Sequence, residues 1–546
     1  MPLTFFQYVF MMSQNNHQKT THLVSVDDGE QQFTLDAHDG ENLLDIFQKN
    51  GRFVLAPCGG KKNCRKCEVN IAGRGIELAC DFAVNEDIQV AIPDSRKFVI
   101  LEKLNPHVRQ VKASSGFAVV DFGVQQIVSY KDKTIAMLPK SNDYKKRIYG
   151  VAVDIGTTTV VMYLIDLLSG EDVGVTSFIN PQATYGADVI SRIQYCMEND
   201  GALSLMQDVI IEQLNHGITR LCAEAKVERD DIFAVSFVGN TVMLHLLLAT
   251  DPTSIAHAPF TPVFTEAKIL KSADISLNIN KHARIHVLPS VAGYVGADIV
   301  AGVAATDMAD SEKFSLYIDI GTNGEIALGN RDKIFSCATA AGPAFEGARI
   351  QCGVGGIEGA ISGYADGTYQ TIGDKKPVGI CGSGLIDIIG DLIRLGTIGI
   401  MGMAGEPVVI APQIETVLDH DIVITPKDVS EVQLAKSAIY TGIKIMMKEA
   451  GITFDQIDKL YLAGGFGNYI NVKNAIQIGM LPAELHSKII PIGNNAGTGA
   501  QLALKSVDFE REVQKVIDKS QYIELSGRPD FNDEFVNAMM FEDVEV

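Results

Sequence analysis

Three cysteines stand within ten positions near the start of the chain, at Cys58, Cys64 and Cys67, and a fourth, Cys80, follows after twelve further residues. The loop that carries the first three is rich in glycine and lysine, which makes it poor material for a protein core. Thiolates bind iron–sulfur clusters or zinc, and backbone N–H groups and lysines offset the negative charge that thiolates bring. The stretch therefore predicts a metal centre.

The spacing of these cysteines is C-x5-C-x2-C with one later cysteine, which is close to the plant-type ferredoxin pattern C-x4-C-x2-C…C. It favours a [2Fe–2S] site. A structural zinc site is the main alternative, although such sites usually have two C-x2-C pairs and only one is present. A disulfide is disfavoured because nothing else in the sequence points to an oxidising compartment. A chance grouping of unrelated buried thiols is also disfavoured on a loop of this composition.

A second group of residues suited to chemistry occupies two similar turns, each between apolar strands. They are Asp154, Gly156, Thr157 and Thr158 in the first turn, and Asp319, Gly321, Thr322, Asn323, Gly324 and Glu325 in the second. Glycine beside small polar residues lets the backbone approach phosphate, and an aspartate at a strand end is placed to hold Mg²⁺ or its waters. The two turns lie a domain-sized interval apart, which suggests an internal duplication whose halves face one nucleotide.

A third glycine turn, Gly464-Gly465, ends an apolar strand and suits close contact of the backbone with a nucleoside. In this order the three turns resemble the two phosphate loops and the adenosine loop of the actin, Hsp70 and sugar-kinase superfamily. The resemblance implies that residues of the three turns hold ATP with Mg²⁺. A P-loop is excluded because Gly60-Lys61 is followed by Lys62 rather than by Ser or Thr, and no G-x-G-x-x-G follows a strand.

Several other small-residue turns suit a cleft lined by backbone, although each is equally consistent with an ordinary turn. The turn at Gly382-Ser383 is taken as a further cofactor contact, and its neighbour Cys381 is more simply a buried, inert thiol. Asp188 stands before a helix predicted over Val189–Cys196. It either favours the helix dipole or acts in catalysis by orienting the attacking water.

Short strands and one helix surround the cysteines. Strands are predicted at His22–Val26, Gln32–Ala37, Cys67–Ile71 and Ile88–Ile92, and the apolar spacing over Asn42–Gly51 predicts a helix. These elements indicate a small β-grasp domain. The fold class expected for the whole chain is α/β and α+β multidomain: an N-terminal β-grasp ferredoxin-like domain, a short linker region, and a C-terminal, duplicated two-lobe actin-like ATPase fold.

The 546-residue chain has a net charge of −21, which argues against nucleic acid and anionic membrane as partners. No uninterrupted apolar run reaches the roughly 18–20 residues of a membrane helix. Nine cysteines, most of them isolated, fit a reducing compartment, so a cytoplasmic protein is expected. The apolar opening at 5–12 is interpreted as a frayed end or an over-extended start rather than as a secretion signal.

The combination resembles the reductive activators of corrinoid-dependent enzymes, which return inactive cob(II)alamin to cob(I)alamin for methyl transfer in anaerobic metabolism. The resemblance implies that Cys58, Cys64, Cys67 and Cys80 hold the cluster, and that Asp154 and Asp319 act on Mg·ATP. It also implies a corrinoid protein as electron acceptor and a reduced ferredoxin, flavodoxin or reductase as donor. The oligomeric state is left open, with a homodimer as one option.

The resemblance gives the expected division of the chain: 1–20 disordered or mis-assigned, 21–97 a [2Fe–2S] ferredoxin-type domain, 98–148 a linker, 149–310 and 311–505 the two ATPase lobes, and 506–546 a segment packed on the ATPase. The basic end of the linker is interpreted as solvated, with a docking patch for an acidic partner as the alternative. Three functional alternatives stay open: a small-molecule kinase with a redox-sensing cluster, an electron carrier with a regulatory ATPase, and an activator of 2-hydroxyacyl-CoA dehydratases. The last is disfavoured because the cysteines stand outside the ATPase.

Overall fold

The computed structural model divides the chain into two compact units, Met1–Asp94 and Ser95–Val546, which are described separately. No helix in the described part of the chain is both long and apolar enough to cross a membrane. The structure describes residues 21–28, 32–52, 54, 56, 60, 62, 67–92, 107–139, 148–321, 323–347, 349–465 and 469–541.

The first unit is a five-stranded sheet in the order β2-β1-β7-β4-β5 with one helix, α1, against it. Strands β1 and β7 pair in parallel, while the neighbours β1/β2, β4/β7 and β4/β5 are antiparallel. The bounds are β1 Thr21–Asp27, β2 Gln32–His38, β3 Glu41–Asn42, α1 Leu43–Lys49, β4 Glu68–Ile71, β5 Gly75–Leu78, β6 Ala83–Val84 and β7 Ile88–Ala91. The predicted strands, the helix and the β-grasp arrangement are confirmed.

The second unit begins with a small antiparallel sheet in the order β10-β9-β8, formed by β8 Phe117–Phe122, β9 Gln125–Tyr130 and β10 Lys133–Pro139. These residues thus form a folded sheet within 98–148, the range predicted as a linker. Lys131 and Asp132 both adopt positive φ at a two-residue hairpin turn, where the sequence suggested only a solvated charge run. Lys131 also pairs with Glu510 of the same chain at 2.9 Å. The remainder of the predicted basic patch, 140–147, lies outside the described residues.

A six-stranded sheet in the order β13-β12-β11-β14-β16-β15 forms the first lobe. Strands β11, β12 and β13 are an antiparallel meander, and β14 pairs with β11 in parallel. The bounds are β11 Tyr149–Ile155, β12 Thr159–Asp166, β13 Asp172–Ile179, α2 Val189–Glu198, α3 Ala202–Ala225, β14 Ile232–Gly239, α4 Thr241–Leu247, β15 Lys268–Lys271, β16 Arg284–Val287 and α5 Ala297–Ala304.

The second lobe repeats this plan in a sheet ordered β26-β25-β17-β18-β19-β27. Strands β17, β18 and β19 again form an antiparallel meander, and β25 pairs with β17 in parallel. The bounds are β17 Phe314–Ile320, β18 Gly324–Gly329, β19 Ile334–Thr339, β20 Ala360–Ala365, β21 Thr368–Thr371, β22 Gly379–Ile380, α6 Gly382–Arg394, β23 Val408–Ala411, β24 Ile422–Ile424, α7 Pro426–Ala450, β25 Ile457–Ala463, α8 Val472–Gln477 and β26 Ile489–Gly493. The predicted duplication and fold class are confirmed.

The end of the chain passes between the lobes. Helix α9, Asn495–Lys505, packs on α5 and on strands β11 and β14 of the first sheet, although it falls within 311–505, the range predicted as the second lobe. Helix α10, Phe509–Lys519, also packs on α5. Strand β27, Ser520–Tyr522, then joins the second sheet, and α11, Pro529–Ala538, packs on α7.

Candidate nucleotide and cluster sites

The first turn is a tight connection between β11 and β12. Ile155 pairs with Val160, and the Gly156 N–H donates to the Thr159 carbonyl at 3.0 Å. A Cβ built at Gly156 would lie 2.6 Å from that carbonyl oxygen, so the turn requires glycine here. Asp154 stands at the end of the strand, as predicted.

Two asparagines of the same lobe stabilise this turn by hydrogen bonds. Asn180 donates through Nδ2 to the Gly156 carbonyl at 2.9 Å and through its backbone N–H to the Thr158 carbonyl at 2.8 Å. Asn240 donates to Thr157 Oγ1 at 2.9 Å. The Thr157 carbonyl, between these two carbonyls, accepts from Arg192. Three consecutive carbonyls therefore have hydrogen-bond partners, which fixes the backbone of the turn.

Arg192 supports the first turn, and the sequence alone did not identify it. It lies on α2 with none of its surface exposed, and its Nη2 donates to the Thr157 carbonyl at 2.5 Å while Nε donates to the Gly186 carbonyl at 3.0 Å. Burial lowers its pKa to about 9, opposed by the negative charges of Asp188 and Glu346. An arginine directly before Ile193, on the apolar face of a predicted helix, was the available signal, because arginine is almost never fully buried without partners.

The second turn joins β17 to β18, with Asp319 paired opposite Glu325. The Gly321 N–H donates to the Asn323 carbonyl at 3.2 Å, and Thr339 Oγ1 donates to the Gly324 carbonyl at 2.9 Å. A Cβ at Gly321 would meet no described atom closer than 3.7 Å, so the face of this turn is open. The predicted residue Thr322 lies outside the described residues.

The third turn follows β25, whose Ala463 pairs with Asp319. Gly464 has φ +113°, and a Cβ there would lie 2.3 Å from the Ile320 carbonyl, so the close approach of β25 to the second turn demands glycine. Around Gly465 the described part of the chain leaves open space, since a Cβ would meet nothing within 4 Å. The structure thus brings together the predicted second and third turns.

Burial, together with the charges of neighbouring carboxylates, raises the pKa values of the acids at the two turns. Burial, with the charge of Asp298, raises the pKa of Asp154 to about 7. Burial, with the charges of Asp298, Asp154 and Glu346, raises that of Asp319 to about 8. Burial raises the pKa of Asp298 to about 6 and holds that of Glu325 well above its usual range. These groups from both lobes form one electrostatic cluster.

This cluster fits a hydrated divalent cation that arrives with a nucleotide. In the described ranges no three His, Cys, Asp or Glu side chains are close enough to hold a metal directly. Mg²⁺ usually keeps several waters and takes only one or two carboxylates beside substrate phosphates, which suits carboxylates spaced in this way. Asp298 and Glu346 stand in small-residue turns, and the sequence alone indicates no role for either residue.

Asp188 is the N-cap residue of α2. Its Oδ1 accepts from the Ser191 N–H at 2.8 Å, and its own N–H donates to Ser191 Oγ at 3.1 Å, which forms a capping box at the start of α2. The helix role weighed for it is therefore present. Its water-orienting role stays a prediction.

The turn at 381–384 packs a helix against a strand. Ser383 Oγ donates to the Ser362 carbonyl at 2.8 Å and Cys381 Sγ to the Ile361 carbonyl at 3.3 Å. A Cβ at Gly384 would lie 2.1 Å from the Ile361 carbonyl. These contacts explain the small residues, and nucleotide contacts of Gly382 and Ser383 stay predictions.

In the first unit, two of the four predicted cluster ligands lie side by side. Cys67 and Cys80 are both buried, and the Cys80 N–H donates to Cys67 Sγ at 3.4 Å. Asn42, which caps α1, donates to the Cys80 carbonyl at 3.0 Å and so holds that backbone. Two cysteines in contact, with one sulfur already accepting an N–H bond, fit a cluster ligated by thiolates. Cys58 and Cys64 lie outside the described residues.

Two equivalent sheets with facing Asp-Gly turns define a two-lobed ATPase of the actin-like class. Residues 313–546 match a family model described as the C-terminal domain of RACo, the ASKHA domain, and residues 149–311 match the RACo middle region. The chain is 35% identical to the corrinoid activation enzyme RamQ of Eubacterium limosum, over 93% of this chain and 98% of that protein.

A second relative, the [Co(II) methylated amine-specific corrinoid protein] reductase of Methanosarcina barkeri, is 26% identical over 69% of this chain and 73% of its own length. Among solved structures, a reductive activator for corrinoid, iron-sulfur protein superposes with a TM-score of 0.71 at 31% identity, covering 95% of this chain and 98% of that one. The chain therefore belongs to the family of reductive activators of corrinoid proteins, and the resemblance inferred from its motifs is confirmed.

Proposed function

We propose that this protein is an ATP-dependent reductive activator, which passes single electrons from a [2Fe–2S] cluster in its first unit to the cob(II)alamin of a corrinoid protein and restores cob(I)alamin. One observation carries the proposal: a buried cysteine pair in a β-grasp unit stands in the same chain as two duplicated Asp-Gly turns with a shared carboxylate cluster. The activities of the matched relatives support it.

The chain's own residues would bind Mg·ATP between the lobes. The backbone of Gly156–Thr158 and of Gly321–Asn323 would approach the phosphates, and Asp154 and Asp319 would hold the hydrated Mg²⁺. Gly465 has room for the nucleoside, while Gly464 allows β25 to approach the second turn. A cation in the cleft would favour the ionised forms of the carboxylates, so binding would offset the burial and the repulsion that raise their pKa values.

The need for ATP follows from the direction of electron transfer. A bound cluster of this type supplies one-electron chemistry near −400 mV. Reducing an acceptor of lower potential costs about 2.3 kcal/mol per 100 mV for each electron. Nucleotide binding and hydrolysis at a cleft between two lobes can provide that free energy by a change in conformation.

The partners follow from the same chemistry. The acceptor is a corrinoid protein, and the donor is a reduced ferredoxin, a flavodoxin or a reductase. The acidic chain offers nothing that favours nucleic acid, and the isolated cysteines fit the reducing cytoplasm.

The decisive experiment mixes the reduced protein anaerobically with a corrinoid protein in the cob(II) state and follows the cob(I) absorption band. We expect cob(I) to form with Mg·ATP and to form much less without nucleotide. Electron transfer that is indifferent to ATP would instead favour a carrier with a regulatory ATPase. Phosphorylation of a small-molecule acceptor without any cob(I) would favour a kinase.

A further inference from the structure

Residues 107–116, here called the strap, are the first described residues after the cluster-bearing unit in the chain. The strap runs along the C-terminal ends of two helices, α5 and α9, which pack against each other between the lobes. The proposed mechanism gives this segment no role. Its contacts are more specific than a passive connection requires.

Arg109 caps the end of α5. Its backbone N–H donates to the Ala305 carbonyl at 2.8 Å, Nε donates to the Ala304 carbonyl at 3.1 Å, and Nη2 donates to the Thr306 carbonyl at 2.9 Å. The last carbonyls of a helix have no partner within the helix, and the helix dipole favours a cation there. One arginine therefore fixes the strap to this helix end.

Acidic side chains hold Arg109 in place. Its guanidinium lies 2.6 Å from Asp310 and 3.2 Å from Glu512 of α10, and Lys515 bridges the same two carboxylates at 3.0 and 2.9 Å. The Arg109 side chain is 22% exposed, so the network is partly shielded from solvent. It restrains the guanidinium more than an isolated surface pair would.

The other end of the strap meets α9. The Ser114 N–H donates to the Lys505 carbonyl at 2.8 Å, and the Val507 N–H donates back to the Ser114 carbonyl at 2.9 Å. Ser115 Oγ donates to the Leu167 carbonyl at 2.5 Å, which anchors the strap to the first sheet. Both helix ends are thus tied to one short segment.

The opposite ends of the same helices reach the carboxylate cluster. Helix α5 starts beside Asp298, and α9 starts after its cap Asn494, whose side chain donates to the Tyr163 hydroxyl at 3.2 Å and lowers the pKa of Asp154 against the effect of burial. The helices are about 12 and 16 Å long. They approach closely, because a Cβ at Gly499 would lie 2.5 Å from the Ala301 carbonyl. A displacement of the two helices at the carboxylate cluster would therefore also displace their C-terminal ends at the strap.

We infer that the strap is a coupling element, in which α5 and α9 carry the nucleotide state of the cleft to the segment that leads to the cluster-bearing unit, with Arg109 as the positioning residue. The inference rests on the proposed function for its last link, the effect on electron transfer. Its first link, movement of the strap with nucleotide, is independent of any corrinoid.

Hydrogen exchange of the full-length protein tests the first link. We expect Mg·ATP to change the protection of the amides of Arg109 and Ser114, while those of the β20–β21 hairpin change little. Unchanged exchange in the strap, at ATP concentrations shown to saturate the site, would overturn the inference. This outcome leaves the proposed function standing.

Substitution tests the second link. In Arg109→Gln we expect the ratio of cob(II) reduction rates with and without ATP to fall about 5-fold or more, the lower range of a typical coupling between sites. ATP affinity and ATPase turnover without acceptor should be preserved. Lys131→Gln, which removes an exposed pair with Glu510 in the same part of the chain, is the matched control and should keep the ratio.

A preserved ratio in Arg109→Gln would refute the inference, as would a parallel loss of ATP binding, since the latter indicates a purely structural role. If that variant does not fold, Asp310→Asn loosens Arg109 more gently and should lower the ratio in the same direction. If the wild-type protein itself forms no cob(I) with ATP, the proposed function fails, and the exchange result still decides the first link.

Discussion

The two Asp-Gly turns have the same strand pairing but different support. In the first turn, Thr157 is held through its carbonyl by Arg192 and through its hydroxyl by Asn240. The second turn has open space at Gly321 and a buried acid, Glu325, opposite Asp319. The first turn therefore has a buried cation beside it, with Glu346 accepting from Thr158 Oγ1 at 2.8 Å, whereas the second turn carries a second buried acid and no such cation among the described residues.

This difference suggests a division of labour. The first turn is fixed before any nucleotide binds, because its carbonyls already have partners. Each turn carries an aspartate whose ionised form is disfavoured until a cation arrives, and the second turn adds the buried acid Glu325. Stability measurements should therefore report on the first turn and nucleotide measurements on the second.

The largest effect is expected at the second turn. Asp319→Ala should lower ATP hydrolysis by about 10²–10³-fold, because a group that stabilises the reacting phosphate through Mg²⁺ is removed. The visible spectrum of the cluster should be unchanged. Asp332→Ala, which alters an exposed aspartate at the next hairpin of the same sheet, is the control. Normal hydrolysis in Asp319→Ala would remove the second turn from the catalytic site.

At the first turn, the main effect should be on stability. Arg192→Met leaves the buried carbonyls of Thr157 and Gly186 without their donor, and should reduce the free energy of unfolding by about 2–4 kcal/mol. Urea unfolding of the nucleotide-free protein measures this. Arg220→Met, at a partly exposed arginine that donates to Thr176 Oγ1 at 3.4 Å, should cost less than about 1 kcal/mol. Equal costs would mean that Arg192 is not a special support.

The two adjacent glycines of the third turn allow an effect on ATP binding to be separated from an effect on stability. Gly465→Ala meets no described atom, so stability should be kept while ATP binding weakens about tenfold, close to 1.4 kcal/mol. Gly464→Ala should instead destabilise the nucleotide-free protein, because its Cβ would collide with the Ile320 carbonyl. Unchanged ATP affinity in Gly465→Ala would show that the nucleoside does not approach this position.

The smallest effect concerns His245 of α4, next to the first turn. Its Nδ1 donates to the Thr241 carbonyl at 2.7 Å and its Nε2 accepts from the Val263 N–H at 3.1 Å, so the ring is neutral, and burial lowers its pKa. In the unfolded chain this histidine gains a proton as the pH falls through about 6.5. In the folded protein its pKa is lower, so it stays neutral until the pH falls further.

Stability should therefore fall by up to about 1 kcal/mol between pH 7 and pH 5 because of this residue. The free energy of unfolding of His245→Gln should depend less on pH over that range, and that of the exposed control His420→Gln should behave like the wild-type protein. Identical pH profiles for all three proteins would contradict the assignment.

The sequence predicts the residues of the three turns more accurately than it predicts the residues and elements that pack against those turns. Glycine and aspartate at fixed offsets after an apolar strand reveal Asp154, Asp319 and Gly464, because the backbone itself requires those residue types. Arg192 reaches Thr157 from 35 positions away, and such contacts depend on tertiary packing. The return of α9 to the first sheet was missed for the same reason, since an apolar helix face does not say which sheet covers it.

The central claim joins an iron–sulfur electron carrier to this ATPase, and metal analysis of protein purified without oxygen tests it most directly. The account predicts iron and acid-labile sulfide in equal amounts, two of each per chain as a [2Fe–2S] cluster requires, with a visible spectrum that Cys64→Ser abolishes while ATP binding persists. Zinc in place of iron, no metal at all, or a full cluster spectrum in Cys64→Ser would contradict it.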